Sequence, residues 1–196
     1  GAWSVLSDAV ASGQFTVANC DAIAPYIGQK LDVTADHEAL ADILGTITTN
    51  RDFNTAKSLA EANLVSVDDS AKGDVAILAP NDGTARAIAD AFSADAGITS
   101  FVVTGQDCET ASLGYICSGL QSMTIWKNTA SLASTTCDMV NAILSGSTPS
   151  TSTTYNNGVI EVPSNETAVT VITIDNINEP VDAGYVSASD IEGYPG

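Results

Sequence analysis

Residues 73–104, GDVAILAPNDGTARAIADAFSADAGITSFVVT, decide the fold. Asp74–Leu78 (DVAIL) is a nearly continuous apolar run, the kind expected in a strand buried on both faces of a parallel sheet. Ala79-Pro80 ends it. Asp82 is the expected N-cap of a helix over Thr84–Phe92. Phe101–Thr104 (FVVT) reads as a second buried strand. Strand, amphipathic helix and strand in close succession predict an α/β domain with a mainly parallel sheet.

Working outward, the same alternation continues. Gly105-Gln106-Asp107 ends the second strand, Glu109–Ser118 is a predicted helix stopped by Gly119, and Met123–Trp126 is a third strand. Asn128 or Thr129 caps a long helix through Leu144. Ser145–Thr154 is a Ser/Thr-rich loop. Asn156-Asn157-Gly158 signals a tight turn, and Val159–Val162 and Thr170–Ile174 after it read as strands. After Pro180 the chain holds a short helix at best. Upstream, Trp3–Ala11 reads as a helix ended by Gly13, and Phe15–Ala18 as a short strand. Asp36–Thr49 and Asn54–Leu64 read as helices, the first from apolar residues at Leu40, Ile43, Leu44 and Ile47.

Composition removes several functional classes. The 196 residues carry 24 Asp+Glu against 6 Lys+Arg, a net charge of −18. Six scattered cations cannot meet a run of phosphates, so no nucleic-acid partner is expected, and an anionic membrane surface is excluded for the same reason. With 44% hydrophobic residues in a clear pattern, the chain has enough apolar material for a core. Cys20, Cys108, Cys117 and Cys137 form no CxxC pair, so a structural zinc site is not expected. They read as free thiols, with one long-range disulfide as the alternative. His37 is the lone histidine, in a polar helix start that places it at the surface. GxSxG, GxGxxG and phosphate-loop motifs are absent. Enzymatic activity, a metal and a cofactor are therefore not expected.

In open α/β sheets, ligands bind beyond the carboxyl ends of the parallel strands. The three predicted strands run into Asn81, Asp107 and Lys127. A carboxamide, a carboxylate and an ammonium supply both donors and acceptors, as a polyhydroxylated ligand requires. Trp126 could add a flat apolar face or point into the core. On the residues alone, Asn81 and Asp107 also fit turn-forming and capping roles, and Lys127 fits a solvated strand end.

Four segments occur in a fixed order: GDVAILAPNDGTARAIADAF, FVVTGQDCETA, GLQSMTIWKNTASLA and YNNGVIEVPS. Together with the opening GAWSVLSDAVASGQFTV, they resemble the sugar-binding proteins of bacterial ABC transporters, in the subgroup that takes xylose and related monosaccharides. The resemblance implies the second lobe of a hinged, two-lobed type I periplasmic-binding-protein fold, a three-layer α/β sandwich. It also implies a monosaccharide ligand (a xylose-like or other aldose) and an ABC permease as partner. The implied location is the periplasm or the outer face of the membrane, with a lipid anchor. Asn81 in PND, Asp107 in GQD and Lys127 after TIW match family positions that hydrogen-bond sugar hydroxyls. The implied division is a sugar-binding lobe over 1–127, a hinge crossing and helix of the other lobe over 128–150, and a return segment over 151–196.

The chain departs from the family pattern in two ways. A first lobe, and the first strand of the second, would precede Gly1. Residues 20–50 look like an insertion, and Arg51 falls about where the family carries a Trp, which makes it a further candidate cleft residue. Three hydrogen bonds to charged groups are worth about 5–9 kcal/mol, against about 4 kcal/mol or more for association. Half a cleft should therefore bind sugar only in the millimolar range or weaker. Strands without their neighbour, and a helix at Thr129–Leu144 without its lobe, would expose edges and an apolar face, so homodimerisation is expected. A sensor module of the same fold, signalling to a membrane receptor, and an α/β hydrolase are the competing readings.

Overall fold

The computed structural model describes residues 2–18, 21–26, 29, 35–39, 41 and 48–196. The chain divides into two compact units, residues 1–103 and 104–196.

In the first unit, α1 (Ala2–Ala11) buries Ser7 and Val10. It stops as expected at Gly13, whose φ of +76° suits glycine, with Gln14 N–H donating to Ala9 C=O at 2.9 Å. Phe15–Ala18 forms no strand. Phe15 is exposed, and no ladder partner runs beside it among the described residues. An extended segment becomes a strand only when a neighbour takes up its backbone groups. The helix expected over Asp36–Thr49 has helical backbone at 37–39 and 41; Asp36, Thr48 and Thr49 are not helical, and positions 40 and 42–47 lie outside the described residues. His37 is exposed, as expected.

Helix α2 (Phe53–Ser66) is capped by Asp52, whose Oδ1 accepts from Thr55 N–H at 2.7 Å. Strands β1 (Gly73–Ile77) and β2 (Ile98–Val103) pair in parallel, with Val75 opposite Phe101 and Ile77 opposite Val103. Between them lies α3 (Asp82–Ser93). Ala60 and Leu64 of α2 and Ala91 of α3 form a small core, with Ile88, Phe92 and Ile98 against it. The two strands are not buried on both faces. Val75 and Ile77 are half-buried while Ala76 between them is exposed, and Leu78 and Val102 are 58% and 56% exposed. Burial of both faces needs a layer on each side, and among the described residues helices cover one.

The second unit is built on β3 (Thr124–Lys127), α4 (Thr110–Cys117) and β6 (Val169–Ile172). Cys108, Leu113, Ile116, Trp126, Ile172, Ile177 and Ile191 form its core. Strand β3 is bonded on two sides. It pairs antiparallel with β6, Lys127 facing Val169. Along its other edge, Ile125 N–H donates to Gly105 C=O (3.1 Å) and Asp107 N–H to Ile125 C=O (3.0 Å), the pattern of a parallel pair.

Helix α5 (Thr129–Leu144) is capped by Asn128, one of the two caps the sequence offers, and buries no residue. Leu132, Val140, Ile143 and Leu144 are all exposed. Strands β4 (Thr153–Asn156) and β5 (Glu161–Ser164) form a hairpin. Its second strand starts two residues later than predicted. Asn157 Oδ1 accepts from the N–H groups of both Val159 and Ile160, which holds them in the loop. The short helix α6 (Glu179–Asp182) follows.

Candidate functional site

In the first unit, Asn81 follows the end of β1 and is itself the N-cap of α3. The expected cap, Asp82, is instead the first helical residue and fully buried. Asn81 has extended backbone, φ −158° and ψ 169°, and its C=O accepts from Ala85 N–H at 3.0 Å. Its Oδ1 accepts from Thr84 Oγ1 at 2.7 Å rather than from the helix backbone. That bond fixes the carboxamide at the helix N-terminus with only a small part of the residue in solvent. Arg51 stands elsewhere in this unit. It is exposed, in left-handed backbone (φ +60°) directly before the cap residue Asp52.

In the second unit, the structure brings Asp107 and Lys127 together. Lys127 is the last residue of β3, and Asp107 closes the segment bonded along that strand. Lys127 Nζ lies 2.7 Å from Asp107 Oδ1, with the side chains 43% and 38% exposed. So exposed a pair contributes about 0–1 kcal/mol to stability. A ligand can therefore meet the carboxylate as acceptor and the ammonium as donor at little cost in disrupted structure.

The backbone that presents Asp107 is unusual. Asp107 and Cys108 both have positive φ, +106° and +54°, though neither is glycine. Such conformations cost on the order of 1–3 kcal/mol each and persist only where the surroundings fix them. Here Cys108 N–H donates to Thr124 Oγ1 at 3.1 Å, and the Cys108 side chain is buried in the core. The turn thus holds a carboxylate at the surface by anchoring the next residue in the interior.

Trp126 does not offer a face to a ligand. It is 7% exposed, a core residue, and its ring meets that of Tyr185 at 5.6 Å. Alternation along β3 turns Trp126 inward and Lys127 outward. Tyr185 is the residue that the sequence reading missed. Its hydroxyl donates to Asp107 C=O at 3.3 Å, across 78 positions of chain. The only local sign of it is the preceding Gly184, a helix-stop residue. Cys108, Cys117 and Cys137 are free thiols, and Cys20 lies outside the described residues.

Comparison with known proteins bears on this arrangement. The multiple sugar-binding periplasmic receptor ChvE of Rhizobium radiobacter is 35% identical over 178 residues, covering 86% of this chain and 49% of its own length. A carbohydrate transporter solute binding protein from Chloroflexus aurantiacus, solved with D-glucose, is 47% identical with a TM-score of 0.92. The match covers 99% of this chain and 56% of that one. An ABC transporter solute binding protein from Clostridium phytofermentans with bound β-D-glucose is 30% identical with a TM-score of 0.68, covering 86% and 52%. These relatives are binding proteins, and the chain spans about half their length. The fold is that of the type I periplasmic binding proteins, as the sequence implied. The family described as "Periplasmic binding protein domain" matches residues 7–148, and the chain belongs to it.

Proposed function

We propose that the protein carrying this chain is the substrate-binding component of an ABC sugar transporter. It captures a monosaccharide and delivers it to a membrane permease from the periplasm or the outer membrane face, where a lipid anchor would hold it. The observation that carries the reading is the exposed Asp107–Lys127 pair on a strained turn at a strand end, in a chain so similar to glucose-bound structures.

In this reading Asp107 accepts from sugar hydroxyls and Lys127 donates, with no bond made or broken. Asn81, its Oδ1 engaged by Thr84, meets the sugar chiefly as a donor through Nδ2. Arg51 is a further candidate, supported by its exposure and left-handed backbone. Residues 1–127 and 151–196 would belong to the sugar-binding lobe and 128–150 to the hinge crossing. That α5 buries no residue supports that division, and its exposed apolar residues, like Leu78 and Val102, offer surfaces through which this chain alone would dimerise. The word "receptor" in the Rhizobium relative's name favours a second role, signalling sugar occupancy to a membrane receptor.

Titration calorimetry of the complete protein with D-glucose and D-xylose tests the reading. Asp107→Ala should weaken binding at least tenfold, on the order of the loss of one charged hydrogen bond. Unchanged affinity removes Asp107 from the site.

A further inference from the structure

The strained turn at Asp107–Cys108 is held from the far end of the chain. Helix α6 ends in a Schellman motif, with Tyr185 N–H donating to Pro180 C=O (2.9 Å) and Gly184 N–H to Val181 C=O (2.9 Å). Gly184 takes the left-handed conformation this requires, φ +70°. The motif aims Tyr185 back over β3. Its ring rests on the buried Trp126, and its hydroxyl bonds Asp107 C=O. Pro180, the acceptor in that motif, is fully buried. Further ties on the turn come from β3: Ile125 C=O, Thr124 Oγ1 and Lys127 Nζ. Tyr185 is therefore the one constraint on Asp107 that comes from outside its own strand pair among these bonds.

We infer that Tyr185 is a positioning residue: its hydroxyl, aimed by the Gly184 helix stop, holds Asp107 in the strained conformation that presents the carboxylate to a sugar. The inference rests on the sugar-binding reading for its consequence, though not for its geometry. A backbone with two adjacent left-handed residues has a relaxed alternative close by, and each tie lost shifts population toward it. The carboxylate then spends less time where it can bind.

Two measurements test this. In the 196-residue chain without sugar, Tyr185→Phe keeps the ring on Trp126 and removes only the hydroxyl. Amide hydrogen exchange of Asp107 and Cys108 should speed up by roughly two- to tenfold, the equivalent of one neutral hydrogen bond. Leu113 and Ile172, buried in the same core, should be unchanged. Unchanged exchange at 107 and 108, or a uniform increase across the core, overturns the inference whether or not the protein binds sugar. In the complete protein, Tyr185→Phe should weaken D-glucose binding by roughly two- to tenfold, and the effect should shrink below about twofold in an Asp107→Asn background. An equal effect in both backgrounds shows that Tyr185 does not act through Asp107. If Asp107→Asn binds like the wild type while exchange responds as expected, the Asp107 charge has no part in sugar binding and the positioning geometry stands.

Discussion

Replacing Asp107 by Gly and by Ala separates the strain in the turn from the chemistry of the carboxylate. Both variants lose the Lys127 ion pair, an exposed contact worth about 0–1 kcal/mol, so that loss cancels between them. Both keep the backbone N–H bond to Ile125 and the C=O bond from Tyr185. They differ in the Cβ. At φ +106° an alanine retains a steric cost of about 1–3 kcal/mol, and glycine removes it. Glycine in turn loses about 0.4–1 kcal/mol through the greater freedom of the unfolded chain. The Gly variant should therefore be more stable than the Ala variant by about 1 kcal/mol, a rise in Tm of roughly 2–4 °C for a chain of this size. Scanning calorimetry at neutral pH measures the difference. Sugar affinity should fall in both, since the carboxylate is gone from both. An Ala variant as stable as the Gly variant would refute the argument that the turn is strained.

Further outcomes follow from burial and charge. Leu113→Ala, at a fully buried position, should cost about 2–5 kcal/mol in urea denaturation. Ile143→Gln on α5 should change stability by less than about 0.5 kcal/mol, because no residue of that helix is buried; a larger loss would show that the face is covered. The hydrogen bond to Lys72 (3.0 Å) holds Asp95 below the usual carboxylate range, and the hydrogen bonds from Thr55 and Ser70 do the same for Asp52 and Asp68. These groups contribute stability above about pH 4 that is lost as pH falls through their folded values. Lys72, raised chiefly by its bond to Asp95, contributes below about pH 10 and loses its contribution as pH rises through its folded value. Lys72→Met should flatten the acid limb of the stability curve, and an unaltered limb would remove the Lys72–Asp95 pair from it. With a thiol-reactive dye in the native state, exposed Cys137 should react first of the three described thiols. Cys117, whose thiol burial pushes up, should follow, and Cys108 only on unfolding. Early labelling of Cys108 would contradict its burial.

Much of this protein is legible along the chain because much of it is local. The helix start at Asn128 and the stops at Gly13 and Gly119 depend on residues within one turn of each other; the sequence places both stops and narrows the start to Asn128 or Thr129. The order of strands and helices from β1 to α5 follows from period and composition alone. The sequence also marks Asn81, Asp107 and Lys127 as strand-end residues, while the ion pair between the last two is a product of the tertiary structure.

What the sequence leaves open is decided by neighbours distant in the chain. The apolar run DVAIL suggested two buried faces, but a residue's neighbours across the sheet depend on which layer covers it, and Leu78 and Val102 remain exposed. Phe15–Ala18 has strand-like residues and no described partner to pair with. Trp126 could have faced a ligand; the side that β3 turns toward Ile172 and Leu113 made it core. Nothing in the string around Asp107 reveals its left-handed backbone, since no glycine marks it. That conformation exists because Thr124, Ile125 and Tyr185, drawn from two other segments, hold it there. Local periodicity determined the elements. The strained presentation of the carboxylate is a tertiary property, because the energy that sustains it comes from contacts the local chain cannot make.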